Sequence, residues 1–162
     1  MIIKRLLPVL LFFFFVLLPI NAFTVSFLVI ETGLSLDSPS NQYSGLWESG
    51  LLDVFFESGH IVSNAAMMRL EYKPEGEFPE EAQKDMDEAL EGGVDFFIIA
   101  VLEFQNHGAT DLRPQSISLR MFRTSPLTMI YEGQYTGTQS RTLGEEYDNL
   151  RQAVRGLVPR LN

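Results

Sequence analysis

The 162-residue chain contains no cysteine. Disulfide bonds are therefore excluded, and so are thiol catalysis and lipid attachment through a cysteine. The stability of any folded part must come from its hydrophobic core, and a chain of this length can build one such core as a single domain.

Histidine is scarce, and the common catalytic and phosphate-binding motifs are missing. The two histidines, His60 and His107, are too far apart in sequence to form a His-x-x-x-His pair. We therefore expect no metal site and no cofactor. No Gly-x-x-x-x-Gly-Lys loop, Gly-x-Gly-x-x-Gly turn or Gly-x-Ser-x-Gly elbow occurs either. These absences favour a protein that is not an enzyme.

Positive charge is also scarce, because 12 basic residues face 21 acidic ones and the net charge is −9. A field of this sign repels phosphate backbones and anionic lipid heads. We therefore expect no nucleic-acid partner. The acidic pairs Glu80-Glu81 and Glu145-Glu146 fall where helices are predicted to begin, and the helix dipole is sufficient to explain them there.

The amino end carries a long apolar segment. Residues 6–20 are all apolar residues or prolines, Lys4 and Arg5 precede them, and Asn21 and Ala22 follow. This order is typical of a secretory signal peptide. We predict that residues 1–22 form a signal peptide cleaved after Ala22, and that residues 23–162 form one domain exported to a bacterial-type periplasm. The alternative is an uncleaved segment that anchors the protein in the membrane.

Hydrophobic periodicity predicts five strands and three helices after the apolar segment. The predicted strands are residues 24–30, 60–64, 94–104, 117–122 and 129–135. The first helix is expected to begin at Pro39 with Ser38 as its cap, the second at Pro79, and the third at Thr142, which forms a capping box with Glu145. Residues 67–78 are expected to be a loop.

The order of these elements predicts a mixed α/β fold. Strand–helix–strand units make parallel pairs through right-handed crossovers, and the short connection between the last two strands makes an antiparallel hairpin. Residues 94–104 are apolar on both sides, as in a central strand. We predict a five-stranded mixed sheet in the order 2-1-3-4-5, with three helices packed on it in a two-layer or three-layer sandwich.

Three stretches of the sequence resemble a known group of proteins. They are Phe27-Leu-Val-Ile30, Gly93-Val-Asp-Phe-Phe-Ile-Ile-Ala100, and the hairpin Ile117-Ser-Leu-Arg-Met-Phe122 with Met129-Ile-Tyr-Glu-Gly133. Together they resemble the bacterial envelope α/β domains of the CsgG, LpoB and TolB-amino-terminal type, over residues 24–162. The resemblance implies an envelope domain that binds other proteins, in a secretion channel, as a synthase activator or as a periplasmic partner.

The carboxyl ends of parallel strands are where open α/β sheets bind ligands. The polar residues predicted to gather at this edge form our candidate small-ligand site: Glu31, Thr32, Gly33, Asn64, Glu103 and His107. The alternative is that these polar residues lie there because loops are solvated. Glu103 is either buried and paired with Arg120, or at a frayed strand end.

Two aromatic features of the first helix bear on partner binding. Adjacent helical positions diverge by about 100°, so Phe55 and Phe56 cannot both face the sheet. One of them is expected under a loop or at a partner surface, whereas Trp47 is expected in the core.

We favour an exported, non-enzymatic envelope protein that binds another protein or a second copy of itself and supports an assembly. The second hypothesis is a periplasmic domain that binds a small ligand at the carboxyl edge of the sheet. A hydrolase that uses a serine with His107 and Asp111 is a third hypothesis, and no motif supports it.

Overall fold

The computed structural model describes residues 22–37, 39, 41–105, 113–136 and 142–161. The strands are β1 (Thr24–Thr32), β2 (Ile61–Asn64), β3 (Met68–Leu70), β4 (Phe96–Phe104), β5 (Pro114–Thr124) and β6 (Leu127–Thr136). The helices are α1 (Gln42–Glu57), α2 (Gln83–Glu91) and α3 (Leu143–Arg155), with short 3-10 turns at Glu80–Ala82 and Val158–Leu161. The apolar segment at residues 6–20 lies outside the described residues, so cleavage after Ala22 stays a prediction.

The six strands form one mixed sheet in the order β2-β1-β4-β5-β6, with β3 paired to β1. Strand β1 runs parallel to β2, β3 and β4, whereas β4, β5 and β6 are antiparallel to their neighbours. The predicted fold class and strand order are therefore confirmed. The crossovers through α1 and α2 account for the parallel pairs, and the short turn at residues 125–126 accounts for the final hairpin.

Strand β3 is the element that the sequence prediction missed, because residues 67–78 were expected to be a loop. It pairs with β1 in the register Ile30↔Met68 and Thr32↔Leu70, and β2 pairs with the other half of the same β1 edge, Thr24 to Phe27. A three-residue strand is too short to show a period of two, and a charged arginine at its centre lowers its apparent strand character.

Helices cover both faces of the sheet, which makes a three-layer sandwich. On one face, side chains of β1 such as Phe27 and Val29 pack with Trp47 and Val54 of α1 and with α3. On the other face, Leu28 packs with α2 and its preceding turn. Strand β4 is buried almost throughout and supplies side chains to both cores, which confirms its predicted central position.

Side-chain caps fix the first turns of α1 and α3. Helix α1 begins at Gln42 and not at Pro39, because the side chain of Asn41 accepts a hydrogen bond from the Tyr43 backbone N–H at 2.8 Å. Ser38, the predicted cap, lies outside the described residues. The capping box of α3 is confirmed, since Thr142 and Glu145 exchange both expected hydrogen bonds.

Helices α1 and α3 approach closely at Gly50. A Cβ atom at this position would lie 1.8 Å from Cδ1 of Leu150 on α3, so a larger residue here would force the Leu150 side chain to move. None of the helices in the described part of the chain is long and apolar enough to cross a membrane.

Candidate functional site

Glu31 lies near the carboxyl end of β1 and is 1% exposed. Arg69 of β3 forms an ion pair with it, and the guanidinium Nε donates to Oε2 at 2.7 Å. The backbone N–H of Asn41 donates to the other oxygen, Oε1, at 3.0 Å. Arg69 also donates to the carbonyl oxygens of Ser35 and Pro39, at 3.2 and 3.1 Å. Both carboxylate oxygens of Glu31 are therefore used in joining β3 to the loop before α1.

Thr32 and Gly33 join the ends of β1 and β4. The hydroxyl of Thr32 donates to the carbonyl oxygen of Leu102 at 3.4 Å. Gly33 has a φ of +79°, and a Cβ atom there would lie 2.0 Å from the carbonyl oxygen of Phe104. Only glycine therefore fits at this crossing of the two chains. A ligand-binding role for these two residues stays a prediction.

Glu103 lies at the carboxyl end of β4, directly beside Thr32 in the strand register. Its Oε2 accepts hydrogen bonds from Lys73 Nζ at 2.9 Å and from the Ser116 hydroxyl at 2.8 Å. These two bonds, that of Lys73 first, lower the pKa of Glu103. Of the two alternatives for Glu103, pairing with Arg120 does not occur, because Arg120 lies opposite Ile99, four positions away along β4. Arg120 instead pairs with Glu132 on β6 at 3.1 Å.

Asn64 ends β2, and its side chain hydrogen-bonds to Glu48 on α1. Burial raises the pKa of Glu48, the hydrogen bond from Asn64 lowers it, and the nearby charge of Glu31 raises it. Glu31, Thr32 and Glu103 lie at neighbouring strand ends, whereas Asn64 pairs with Phe27, five residues before Thr32. The side chains of all four bond to other groups of the protein and not to one another. His107 and Asp111 lie outside the described residues.

The described ranges contain no group of three or more histidine, aspartate or glutamate side chains placed to hold a metal ion. Glu48 and Glu31 interact at the carboxyl edge, while Glu103 forms its own pair with Lys73 there. At this edge, Glu31 is paired with Arg69 and Glu103 with Lys73.

A cleft of about 300 Å³ opens elsewhere, between α1, α3 and the carboxyl end of β6. It is lined by Trp47, Ile117, Gln134, Tyr135, Thr136, Glu146, Asn149, Leu150 and Ala153. Its four α3 residues are spaced by three and four positions, so they lie on the face of the helix that packs toward the sheet.

Two buried polar groups line this cleft without a partner. Glu146 is 4% exposed, and its carboxylate forms no hydrogen bond or ion pair with another side chain in the described part of the chain. Trp47 is 2% exposed, and its Nε1–H has no hydrogen-bond acceptor there either. The hydroxyl of Tyr135, in contrast, bonds to that of Tyr131 at 2.7 Å, and burial followed by this bond raises its pKa.

The sequence analysis missed this cleft because it assigned Glu146 to the helix dipole alone. One signal was available: Glu146 precedes Leu150 by four positions, which places it on the apolar face of the helix. An acidic residue at such a position is buried when the helix docks. The predicted location of Trp47 in the core is confirmed.

The corner between α1 and β2 exposes two large apolar side chains. Phe56 is 74% exposed and Ile61 is 62% exposed, whereas Phe55 is fully buried, so the predicted divergence of Phe55 and Phe56 is confirmed. A tight turn joins their two elements, since the N–H of Gly59 donates to Phe56 O at 2.9 Å and that of His60 to Phe55 O at 3.1 Å. Val62 packs against the core under α1, so the side chain of Ile61 points toward the opposite face of the sheet. Burial lowers the pKa of His60 in this turn.

No protein-family model matches the sequence, and no curated protein matches it. Several solved structures have a similar fold, and three of them are described here. The PelC dodecamer from Paraburkholderia phytofirmans is 12% identical with a TM-score of 0.47, over 86% of this chain and 87% of that one. TolB from Acinetobacter baumannii is 8% identical with a TM-score of 0.43, over 88% of this chain and 28% of that one.

The third structure, a hypothetical protein from Chlamydia trachomatis, is 14% identical with a TM-score of 0.42, over 86% of this chain and 95% of that one. TolB is one of the envelope proteins whose domains the sequence resembles. All three TM-scores are below 0.5, and so these likenesses carry no argument about what this chain does.

Proposed function

We propose that residues 23–162 form a non-enzymatic protein-interaction module of the bacterial envelope, and that its contact surface is the α1–β2 corner. The observation that carries the proposal is the exposure of Phe56 and Ile61 on either side of one tight turn. Large exposed apolar side chains at one edge of a sheet are typical of protein contacts.

The charge around this corner is compatible with a protein contact. Glu57, next to Phe56, is paired with Arg151 at 2.6 Å, so the local acidity is partly neutralised in an otherwise acidic chain. Strand β2 carries no charged side chain, and in the described part of the chain it pairs with β1 alone. An uncharged strand edge beside two apolar side chains suits a second copy of the chain, which can extend the sheet.

Export supports the location in the envelope. The apolar segment after Lys4 and Arg5 has the form of a signal peptide, and the resemblance to envelope domains points the same way. Sequencing the amino end of protein recovered from a periplasmic extract tests this part. We expect Phe23 as the first residue, and full-length chain in the cytosol would contradict it.

Light scattering coupled to size-exclusion chromatography, with chemical cross-linking, tests the contact surface. We expect residues 23–162 to self-associate, and Phe56→Glu or Ile61→Glu to shift the population to monomer. Leu90→Glu on α2 is the control, since Leu90 is also exposed but lies outside the α1–β2 corner. A wild-type protein that is monomeric and cross-links to nothing in an envelope extract would contradict the proposal.

The small-ligand hypothesis at the carboxyl edge has less support from the geometry. Both oxygens of Glu31 and the hydroxyl of Thr32 already bond within the protein. A ligand at this edge would have to replace these bonds.

A further inference from the structure

His60 lies in the turn between α1 and β2, and its ring holds the start of β1 beside the start of β2. The Nδ1 atom of His60 accepts a hydrogen bond from the backbone N–H of Phe23 at 3.3 Å. The N–H of Ile61, the next residue, donates to the carbonyl oxygen of Phe23 at 2.9 Å. The first pair of the β1–β2 register, Thr24↔Ile61, follows directly. Phe23 is therefore bound at both its nitrogen and its oxygen to two neighbouring residues at the entry to β2.

The bond from Phe23 requires a neutral imidazole. Nδ1 accepts a hydrogen bond only when it carries no proton, whereas a protonated ring has a donor at both nitrogens. The ring also lies beside Phe23 and Phe55, with centroid distances of 5.9 and 6.3 Å. A positive charge there loses part of its hydration, and burial lowers the pKa of His60 from its ordinary value of 6.5. Protonation of His60 therefore removes the acceptor for the Phe23 N–H.

The charged groups around this turn have other partners. Glu57 at the end of α1 is paired with Arg151 of α3 at 2.6 Å. Asp95, which precedes β4, accepts a backbone N–H of β1 at 2.8 Å. Arg123 of β5 lies over an aromatic ring of β4, 5.9 Å from the ring centroid. Burial is the cause of the lowered pKa of His60, and these charges do not offset it.

The direction of this shift gives the pH range in which the turn weakens. A group whose pKa is lowered by folding stabilises the folded state while it is neutral. The contribution of His60 is therefore complete above about pH 6.5 and is lost as the pH falls through its folded pKa. In the predicted mature protein the Phe23 nitrogen is the terminal ammonium group, so a protonated His60 would also face a second positive charge.

We propose that His60 is a pH switch in the α1–β2 corner, whose protonation releases the start of β2 from β1 and thereby weakens self-association at that edge. The loss of association rests on the proposed function, because β2 belongs to the proposed contact surface. The release of β2 is a property of the fold and can be measured in a monomer.

Amide hydrogen exchange tests the release of β2. It is measured by mass spectrometry on protein diluted to the monomer, at about pH 7.5 and about pH 5.5, and is expressed relative to the unfolded chain at each pH. We expect the protection of the Ile61 N–H to fall at least about fivefold at the lower pH. In His60→Asn the side-chain oxygen can accept the Phe23 N–H but does not titrate, so we expect a change of less than about twofold.

Analytical ultracentrifugation at the same two pH values tests the loss of association. The ratio of the two dissociation constants is compared within each protein. We expect the wild type and His107→Asn, which lacks the other histidine of the chain, to associate at least about fivefold more weakly at the lower pH. The ratio for His60→Asn is expected to stay below about twofold, because carboxylates that titrate in this range act equally in all three proteins. Circular dichroism checks that each variant is folded.

Two results would overturn the switch: unchanged protection of Ile61 in the wild-type protein, or an equal pH response in a folded His60→Asn variant. A wild-type protein that is monomeric at both pH values would overturn the proposed function and with it the loss of association, and exchange at Ile61 alone would then decide the release of β2. If His60→Asn does not fold, NMR titration of the two histidine rings replaces it. A His60 ring that titrates at or above pH 6.5 would then contradict the switch.

Discussion

Glu31 and Glu146 are both buried carboxylates, and they lie in opposite environments. Glu31 is 1% exposed and has Arg69 and the Asn41 N–H at its oxygens. Glu146 is 4% exposed and faces a cleft without any partner in the described part of the chain. Burial of an acidic group therefore does not by itself define its role. The bonds around the group decide whether it holds parts of the fold together.

The largest loss of stability is expected when the ion pair between Glu31 and Arg69 is broken. Arg69→Met leaves the Glu31 carboxylate buried and unpaired, so we expect the free energy of unfolding to fall by about 3–5 kcal/mol. Urea denaturation followed by circular dichroism measures it. Lys73→Met is the control, since Lys73 is half exposed in its pair with Glu103. We expect it to cost less than about 1 kcal/mol. A loss below 1 kcal/mol for Arg69→Met would contradict the structural role of the pair.

A smaller loss of stability is expected at the contact between α1 and α3, which lies away from Glu31. Gly50→Ala places a methyl group against Leu150, and we expect a loss of about 1–3 kcal/mol from overpacking. Gly45→Ala in the same helix meets nothing within 4 Å. We expect that variant to gain about 0.5–1 kcal/mol, because alanine is the better helix former. Thermal unfolding of both variants compares them directly. Equal effects would show that α1 and α3 do not meet closely at Gly50.

A smaller effect tests whether Glu146 lacks a partner. Glu146→Gln removes the burial cost of a charge and loses a favourable helix-dipole interaction, so we expect stability within about 1 kcal/mol of the wild type. Glu31→Gln, in contrast, loses hydrogen bonds to a charged group, worth about 1.5–3 kcal/mol each. Urea denaturation of the two variants side by side measures the contrast. A large loss for Glu146→Gln would reveal an internal partner.

The sequence was sufficient for the features that depend on local pattern. The two apolar faces of residues 94–104 predicted the central strand, and the spacing of Thr142 and Glu145 predicted the capping box of α3. The strand order follows from the right-handed crossover rule and the short final turn. The central strand and the capping box can each be identified from a few neighbouring residues, and the strand order follows once the elements are known.

The features that the sequence did not predict depend on residues distant along the chain. Strand β3 forms because β1 has a free edge beyond β2, and the pairing of Arg69 with Glu31 spans 38 positions. The cleft requires Trp47 and Glu146 to meet the end of β6, which only the packed helices achieve. Local periodicity places a side chain on a face of its own element, but it does not state what that face meets.

The smallest change in stability is expected at Glu48, at the carboxyl edge of the sheet. Burial raises the pKa of Glu48 from its ordinary value of 4.5, the Asn64 bond lowers it, and the charge of Glu31 raises it. A raised pKa means that the folded state binds the proton more tightly, so this contribution to stability is present below pH 4.5 and is lost as the pH rises through the folded pKa.

Glu48→Gln should therefore raise the free energy of unfolding at pH 7 by about 0.5 kcal/mol or less, which appears as a slightly higher melting temperature. At about pH 4 the variant should melt like the wild type. Melting curves of the variant and the wild type between these two pH values check the trend. Asn64→Ala serves as the companion variant, since loss of its hydrogen bond should lower stability at pH 7 and have less effect at acidic pH. If Glu48→Gln were instead destabilising at pH 7, the Asn64 bond would outweigh burial and the repulsion from Glu31. The carboxyl edge would then hold a second satisfied carboxylate like Glu31, and the contrast with Glu146 would become sharper.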